Sequence, residues 1–328
     1  DVDCLRFLAD DENTKAVLLY QEGIDNPPEF RNICQYIVQN KPVLALKAGR
    51  TKSGLKAASS HTGALASDDI LTDTFLKQCG VIRCQTLQEL LESAHVLTSQ
   101  PMPSGKRVGV VTNAGGPGIL VSDALEIHGL ELGKISDKSR TALSQILPAE
   151  AGLDNPVDMI ASATHETYRE VCQILENDKG IDAILVIIVK PPVNTTPKLI
   201  ISAIKPLIDQ SNKPYLFTLM AADNSDSGKD FFREGKIPVF SYPESMARAL
   251  GNMIQYLEIK AKFMQSTPLK SESIPYPEGN SKQASVRDTI TLLSDYGLKM
   301  CESDLIETNT EAIEFQKNKG PFVLKIAN

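Results

Sequence analysis

Short apolar runs alternate along the chain with stretches whose apolar residues recur every three or four positions. The chain opens already inside a helical pattern, which leads into the strand AVLLY at Ala16–Tyr20. Phe30, Ile33, Ile37 and Val38 then repeat at helical spacing, and PVLALKA at 42–48 is the next strand. After the polar stretch GRTKSGLKAASS, the segment DDILTDTFLKQCG reads as a helix with acidic residues at its start and Gly80 at its end. VIRC follows as a strand, and TLQELLESAHVLTSQ as a helix that Thr86 is placed to cap. Such alternation predicts a parallel sheet covered by helices.

A second unit repeats the pattern after PMPSGK (101–106), whose prolines and glycine mark a linker. Its strands are RVGVVT (107–112), DAILVIIV (182–189), PYLFTL (214–219) and IPVFS (237–241). The glycine-rich turn NAGGPG leads into the helix GILVSDALEIHG at 118–129. PESMARALGNMIQYLEIKAKF (243–263) is a long closing helix with proline in its first turn. Residues 266–282 are rich in proline and serine and lack periodicity, so they read as a linker. Two more helical patterns and the strand PFVLKI follow, too few residues for a normal core. The expected organisation is one α/β domain over 1–100, a second over 104–265, the linker 266–282, and the beginning of a third domain over 283–328.

Composition narrows the functional classes. The chain is 42% hydrophobic and 23% charged, as ordinary soluble globular proteins are. A net charge of −7 argues against non-specific nucleic-acid binding but not against a small anion held by amides and helix ends. The longest strongly apolar run, 183–189, is far short of a membrane span. No signal-peptide pattern opens the chain. Six scattered cysteines without a CxxC pair fit free thiols in a reducing cytoplasm, and no cysteine–histidine cluster has metal-ligand spacing. The first residue is not methionine and the last segment is a strand, which suggests a piece of a longer polypeptide.

The chemistry concentrates in SSHTGAL, residues 59–65. A neutral imidazole is a nucleophile near neutral pH and can carry a phosphoryl group. Around His61, the hydroxyls of Ser59, Ser60 and Thr62 can donate to phosphoryl oxygens, and Gly63 allows close backbone approach. Glu22, in YQEGI, directly follows the strand AVLLY, and His61 follows the strand PVLALKA. Ligand-contacting residues of open α/β sheets gather at carboxyl strand ends, so the two can meet there, with the carboxylate orienting the ring. Taken singly, His61 also fits a surface loop and Glu22 a solvated turn. TNAGGPG (112–118) joins a strand to a helix and offers amides and a positive helix end to an anion; Asn113, Ala114, Gly115, Gly116 and Gly118 form it. It is neither a P-loop nor GxGxxG, and close packing explains such turns equally well. His95, His128 and His165 sit in or at the ends of helices, and Asp158 reads as a turn-and-cap residue.

Together these elements resemble the NDP-forming acyl-CoA synthetases, relatives of succinyl-CoA synthetase. LLYQEGIDNPPEF, KPVLALKAGRTKSGLKAASSHTGALASDD, GVVTNAGGPGILVSDALE and NPVDMIASAT carry the resemblance, and KQASVRDTITLLSDYGLKMCES with PFVLKIA is similar to the start of an ATP-grasp domain. The resemblance implies two flavodoxin-like, parallel-sheet α/β domains followed by that beginning. It implies that His61 is phosphorylated during turnover, that Glu22 holds it, and that NAGGPG precedes a phosphate-binding helix. It also implies that the histidine loop moves to the ATP-grasp site, and that Lys325 contacts nucleotide. The implied reaction interconverts acyl-CoA, ADP and phosphate with a small carboxylic acid, CoA and ATP. Mg2+ would accompany the nucleotide, and no permanently bound cofactor is expected. A CoA-binding domain before Asp1, with the first phosphate-binding helix, and most of an ATP-grasp domain after Asn328 would come from the same chain or a partner subunit. The isolated chain is therefore expected not to turn over, and to associate with other copies or subunits. Relatives fused to an acetyltransferase lack the active histidine, so a non-catalytic ligand-sensing module is the competing reading.

Overall fold

The computed structural model describes residues 2–51, 53–54, 56, 69–190, 195–220, 237–265, 286–295, 299 and 308–319. Two units divide the chain at Ser266. Within the first, two parallel sheets carry the architecture.

The first sheet orders its strands β1 (Val17–Gln21), β2 (Val43–Lys47) and β3 (Ile82–Cys84), all parallel. Four helices belong to it: α1 (Val2–Asp10), α2 (Pro27–Ile37), α3 (Asp69–Gln78) and α4 (Leu87–Ser99). Leu5, Phe30, Cys34, Ile37 and Leu76 from α1, α2 and α3 pack on Val17, Val43 and Ala45 of one face. Gly80 adopts φ +74°, the left-handed turn that lets α3 stop and the chain enter β3. Thr86 caps α4 as expected, its hydroxyl accepting from Glu89 N at 3.1 Å.

The second sheet orders β5 (Glu131–Leu132), β4 (Arg107–Thr112), β7 (Ala183–Val189), β8 (Tyr215–Met220) and β9 (Val239–Phe240), with β6 (Val157–Asp158) pairing with β4. All pairings are parallel. Its helices are α5 (Gly115–Ile127), α6 (Asp137–Ile146), α7 (His165–Glu176), α8 (Pro197–Ile208) and α9 (Pro243–Gln265). The apolar β7 shows why a continuous run suits a doubly covered strand. Leu185 and Ile187 join a core with α5 and α9, while Ile184, Val186 and Ile188 join one with Tyr168, Val171 and Ile204. Leu44, Ile82 and Cys84 of the first sheet share the former core, so α4, α5 and α9 are packed between the two sheets.

One expectation shifts. The glycines of NAGGPG are not a turn ahead of the helix: α5 begins at Gly115. First-turn amides have no partner inside a helix, so Pro117 and the glycines cost little there. The second unit contains α10 (Val286–Asp295) and α11 (Asn309–Lys319), where helical patterns were read. The strand read at PFVLKI lies outside the described residues. Among the described residues no helix is long and apolar enough to cross a membrane, and no cluster of three or more potential metal ligands occurs.

Candidate functional site

The carboxyl ends of β1 and β2 form one edge of the first sheet. Glu22 follows β1 and Lys47 closes β2. Ala48 N donates to Gln21 O at 2.9 Å, extending the pairing past both strands. Lys47 is 4% exposed. Its Nζ donates to Glu22 O at 2.9 Å and to Ala48 O at 2.5 Å. Burial pushes the Lys47 pKa down; Asp69 and Glu22 oppose this, and Arg83 reinforces it. Glu22 Oε2 is buried and has no hydrogen-bond partner among the described residues. A buried carboxylate oxygen without a donor is costly, so it marks a place where a donor belongs.

The start of α3 is tied to the same region. Arg83 in β3, its side chain 6% exposed, bonds Asp69 through Nη2 and lies 3.2 Å from Asp73 Oδ1. Arg50 Nε is 3.5 Å from the same Asp69 oxygen. Arg50 and Asp69 flank residues 51–68, and this contact sets the two flanking positions side by side. His61, Ser59, Ser60 and Thr62 lie outside the described residues, as does Lys325.

The carboxyl end of β4 offers a different arrangement. Thr112 Oγ1 accepts from Ala114 N at 3.1 Å and donates to Ala114 O at 2.8 Å. The Asn113 side chain donates to Val189 O and accepts from Val189 N, both at 2.9 Å, locking the turn to the end of β7. Ala114, the N-cap of α5, provides no side-chain cap. Gly115 and Gly116 are exposed, and a Cβ built on Gly116 would meet no atom within 4 Å. The protein's own packing therefore does not require glycine at 116. An uncapped helix start with exposed first-turn glycines suits an anion.

Asp158 borders this turn. Its Oδ1 accepts from Ile160 N at 3.0 Å, and Oδ2 is 3.2 Å from where a Gly115 Cβ would sit. Ile160 adopts φ +59°, a strained conformation for a β-branched residue. Among the described residues no hydrogen bond or ion pair joins Glu22 to the Asn113–Gly118 turn. His95 lies within α4, His128 closes α5, and His165 opens α7 with Nε2 2.8 Å from Glu166 Oε1. Lys47 escaped the sequence reading: at the end of an apolar strand pattern, a Lys carries no motif.

Comparison with known proteins extends this geometry. Residues 1–97 match the family described as succinyl-CoA ligase like flavodoxin domain, and residues 108–262 match the ligase-CoA domain. The chain belongs to the succinyl-CoA synthetase-like family of ADP-forming acyl-CoA synthetases. It is 38% identical to the alpha subunit of acetate–CoA ligase [ADP-forming] II of Pyrococcus furiosus, over 77% of this chain and 56% of the relative. It is 33% identical to the acetate–CoA ligase [ADP-forming] of Methanocaldococcus jannaschii, over 99% of this chain and 48% of the relative. A solved structure of acetyl-coenzyme A synthetase 1 from Ca. Korarchaeum cryptofilum, in complex with phosphate and ADP, superposes with a TM-score of 0.74 at 27% identity. That superposition covers 82% of this chain and 59% of the other. The chain spans about half the length of the curated relatives it matches.

Proposed function

We propose that this chain is the phosphoryl-carrying part of an ADP-forming acyl-CoA synthetase, with His61 as the carrier. The observation that carries the reading is Glu22 Oε2, buried without a donor among the described residues at the carboxyl edge of β1 and β2, β2 being the strand that precedes His61 in sequence. An imidazole N–H is the donor this oxygen lacks. Accepting it fixes the tautomer, leaves the second ring nitrogen free to attack, and stabilises the positive charge that forms on the ring.

The steps balance as follows. Phosphate attacks the acyl-CoA carbonyl, the C–S bond breaks, and CoA leaves from an acyl phosphate. The free nitrogen of His61 attacks phosphorus, the P–O bond to the acyl group breaks, and the carboxylic acid departs. A terminal oxygen of ADP then attacks the phosphohistidine, giving ATP and restoring neutral His61. Ser59, Ser60 and Thr62 donate to the phosphoryl oxygens. So do the free amides of Gly115 and Gly116, in a turn that Asn113, Ala114 and Gly118 shape. Asn113 acts through the turn, because its amide is already engaged by Val189. Aligned helix amides favour a dianion without any reorganisation at the moment of transfer.

CoA, ADP or ATP with Mg2+, phosphate and a small carboxylic acid are the substrates of the complete enzyme. Its remaining parts supply the CoA site and most of the ATP-grasp domain that 283–328 begins, where Lys325 contacts nucleotide. The test is ATP formation by the complete enzyme from ADP, phosphate and a panel of short acyl-CoAs. Turnover that stops in His61→Asn supports the reading. Saturable acyl-CoA or nucleotide binding without turnover by any acyl-CoA contradicts it and favours a ligand-sensing module.

A further inference from the structure

Lys41, Lys47 and Lys213 in the first unit each set the ammonium group against backbone carbonyls, and Lys47 lacks the usual reason. Lys41 Nζ donates to Leu8, Ala9 and Asp11 O, and Lys213 Nζ to Leu175, Glu176 and Asp178 O. Both sit at helix C-termini, where unpaired carbonyls and the helix dipole reward a cation. Among the described residues Lys47 caps no helix. Its two acceptors, Glu22 O and Ala48 O, are loop carbonyls just past the ends of β1 and β2. It is 4% exposed, and burial of an ammonium is costly. Water would satisfy two loop carbonyls equally well, so helix capping and carbonyl satisfaction do not account for it.

What Lys47 does accomplish is local to Glu22. Its Nζ fastens the Glu22 peptide to the end of β2, so the residue cannot drift as an ordinary turn residue would. The ammonium also provides a positive charge beside the glutamate without engaging its side chain: Nζ bonds backbone oxygens, and Glu22 Oε2 stays unpartnered. Asp69 and Arg83 are the other charged groups that act on Lys47. The Glu22 backbone is thus held in place while Oε2 of its carboxylate keeps its hydrogen-bonding capacity unspent among the described residues.

We propose that Lys47 is a positioning residue, which clamps Glu22 so that its free carboxylate oxygen can receive the imidazole of His61. The proposal rests on the reading of His61 and Glu22 given above. It makes Lys47 act through Glu22, and a double-mutant cycle on the complete enzyme tests that directly. The readout is the rate and the amplitude of acid-labile phosphate appearing on His61 from Mg-ATP. Loss of folded protein lowers the amplitude, whereas mispositioning lowers the rate. Lys47→Met is expected to slow phosphorylation about tenfold or more, with unchanged amplitude and unchanged KM for nucleotide. Combined with Glu22→Gln it should be no slower than Glu22→Gln alone. Should Lys47→Met fail to fold, Lys47→Arg completes the same cycle; it keeps the charge but not the two-carbonyl geometry. Losses that multiply in the double mutant, or a wild-type rate in a folded Lys47 variant, overturn the proposal. Absence of any His61 phosphate in the unaltered enzyme overturns the reading beneath it as well.

Discussion

The carboxyl edges of the two sheets solve related problems with opposite materials. At the first edge the groups are ionic: Glu22, a buried Lys47, and Arg83 with Asp69 and Arg50 close by. At the second they are mostly backbone and neutral side chains: Thr112 on Ala114, Asn113 on Val189, and the uncapped start of α5. A nucleophile that gains positive charge needs an oriented carboxylate. A transferring phosphoryl group, already anionic, is better served by amide N–H donors that do not titrate. On the function proposed above, the two edges divide the labour of phosphoryl transfer in this way.

The comparison is broken most severely from the first edge. Glu22→Gln removes the charge and keeps the shape, and should slow His61 phosphorylation about 100-fold, measured by single-turnover labelling. A loss of less than about threefold would make Glu22 an ordinary turn residue. At the second edge Gly116→Ala sharpens the contrast. The added methyl meets no protein atom, so thermal stability should hold or rise slightly, while transfer falls about tenfold because the methyl occupies the anion's approach. Equal activity would mean that no phosphoryl group comes near.

In the second sheet the Arg107–Asp182 pair lies at the amino ends of β4 and β7, and there it serves stability. Asp182 accepts from Arg107 N, Nε and Nη2 and from Ser104 Oγ. The Arg107 hydrogen bonds outweigh burial and hold its pKa at about 2. Burial works against Asp178, but hydrogen bonds from Ser139, Ser136 and Gly180 bring it to about 2 as well. Both folded values lie below the ordinary 3.8, so the stabilisation is complete above pH 4 and is lost as pH falls toward 2. Thermal melts between pH 5 and 2 should show that decline, and Asp182→Asn should flatten it while costing about 2 kcal/mol at neutral pH. The smallest effect expected is from Thr86→Ala, about 1 kcal/mol from the lost cap of α4, with phosphorylation unchanged.

Much of the fold was legible because its signals are local. The continuous apolar run AILVIIV, the Thr86 cap and the Gly80 stop each act within a few residues, and β7, α4 and α3 stand where they were read. The short β5 and β6 and the helices α6 and α8 went unread. Two-residue strands carry too little periodicity, and Pro206 inside α8 disguises its pattern. Glu22 was found because it follows a strand. Lys47 was not, since a lysine ending a strand reads as solvated until burial and its two carbonyl partners are seen. The start of α5 was placed three residues late because glycine and proline read as turn, although a first helical turn tolerates both.

The division of labour between the two edges stands or falls on His61. The most direct measurement incubates the complete enzyme with Mg-ATP and locates acid-labile phosphate by mass spectrometry, with His61→Asn as control. The expected result is one phosphate on His61, absent in the variant and discharged by CoA plus a carboxylic acid. Confirmed nucleotide binding with no phosphate on His61 would contradict the account and leave both edges without the chemistry assigned to them.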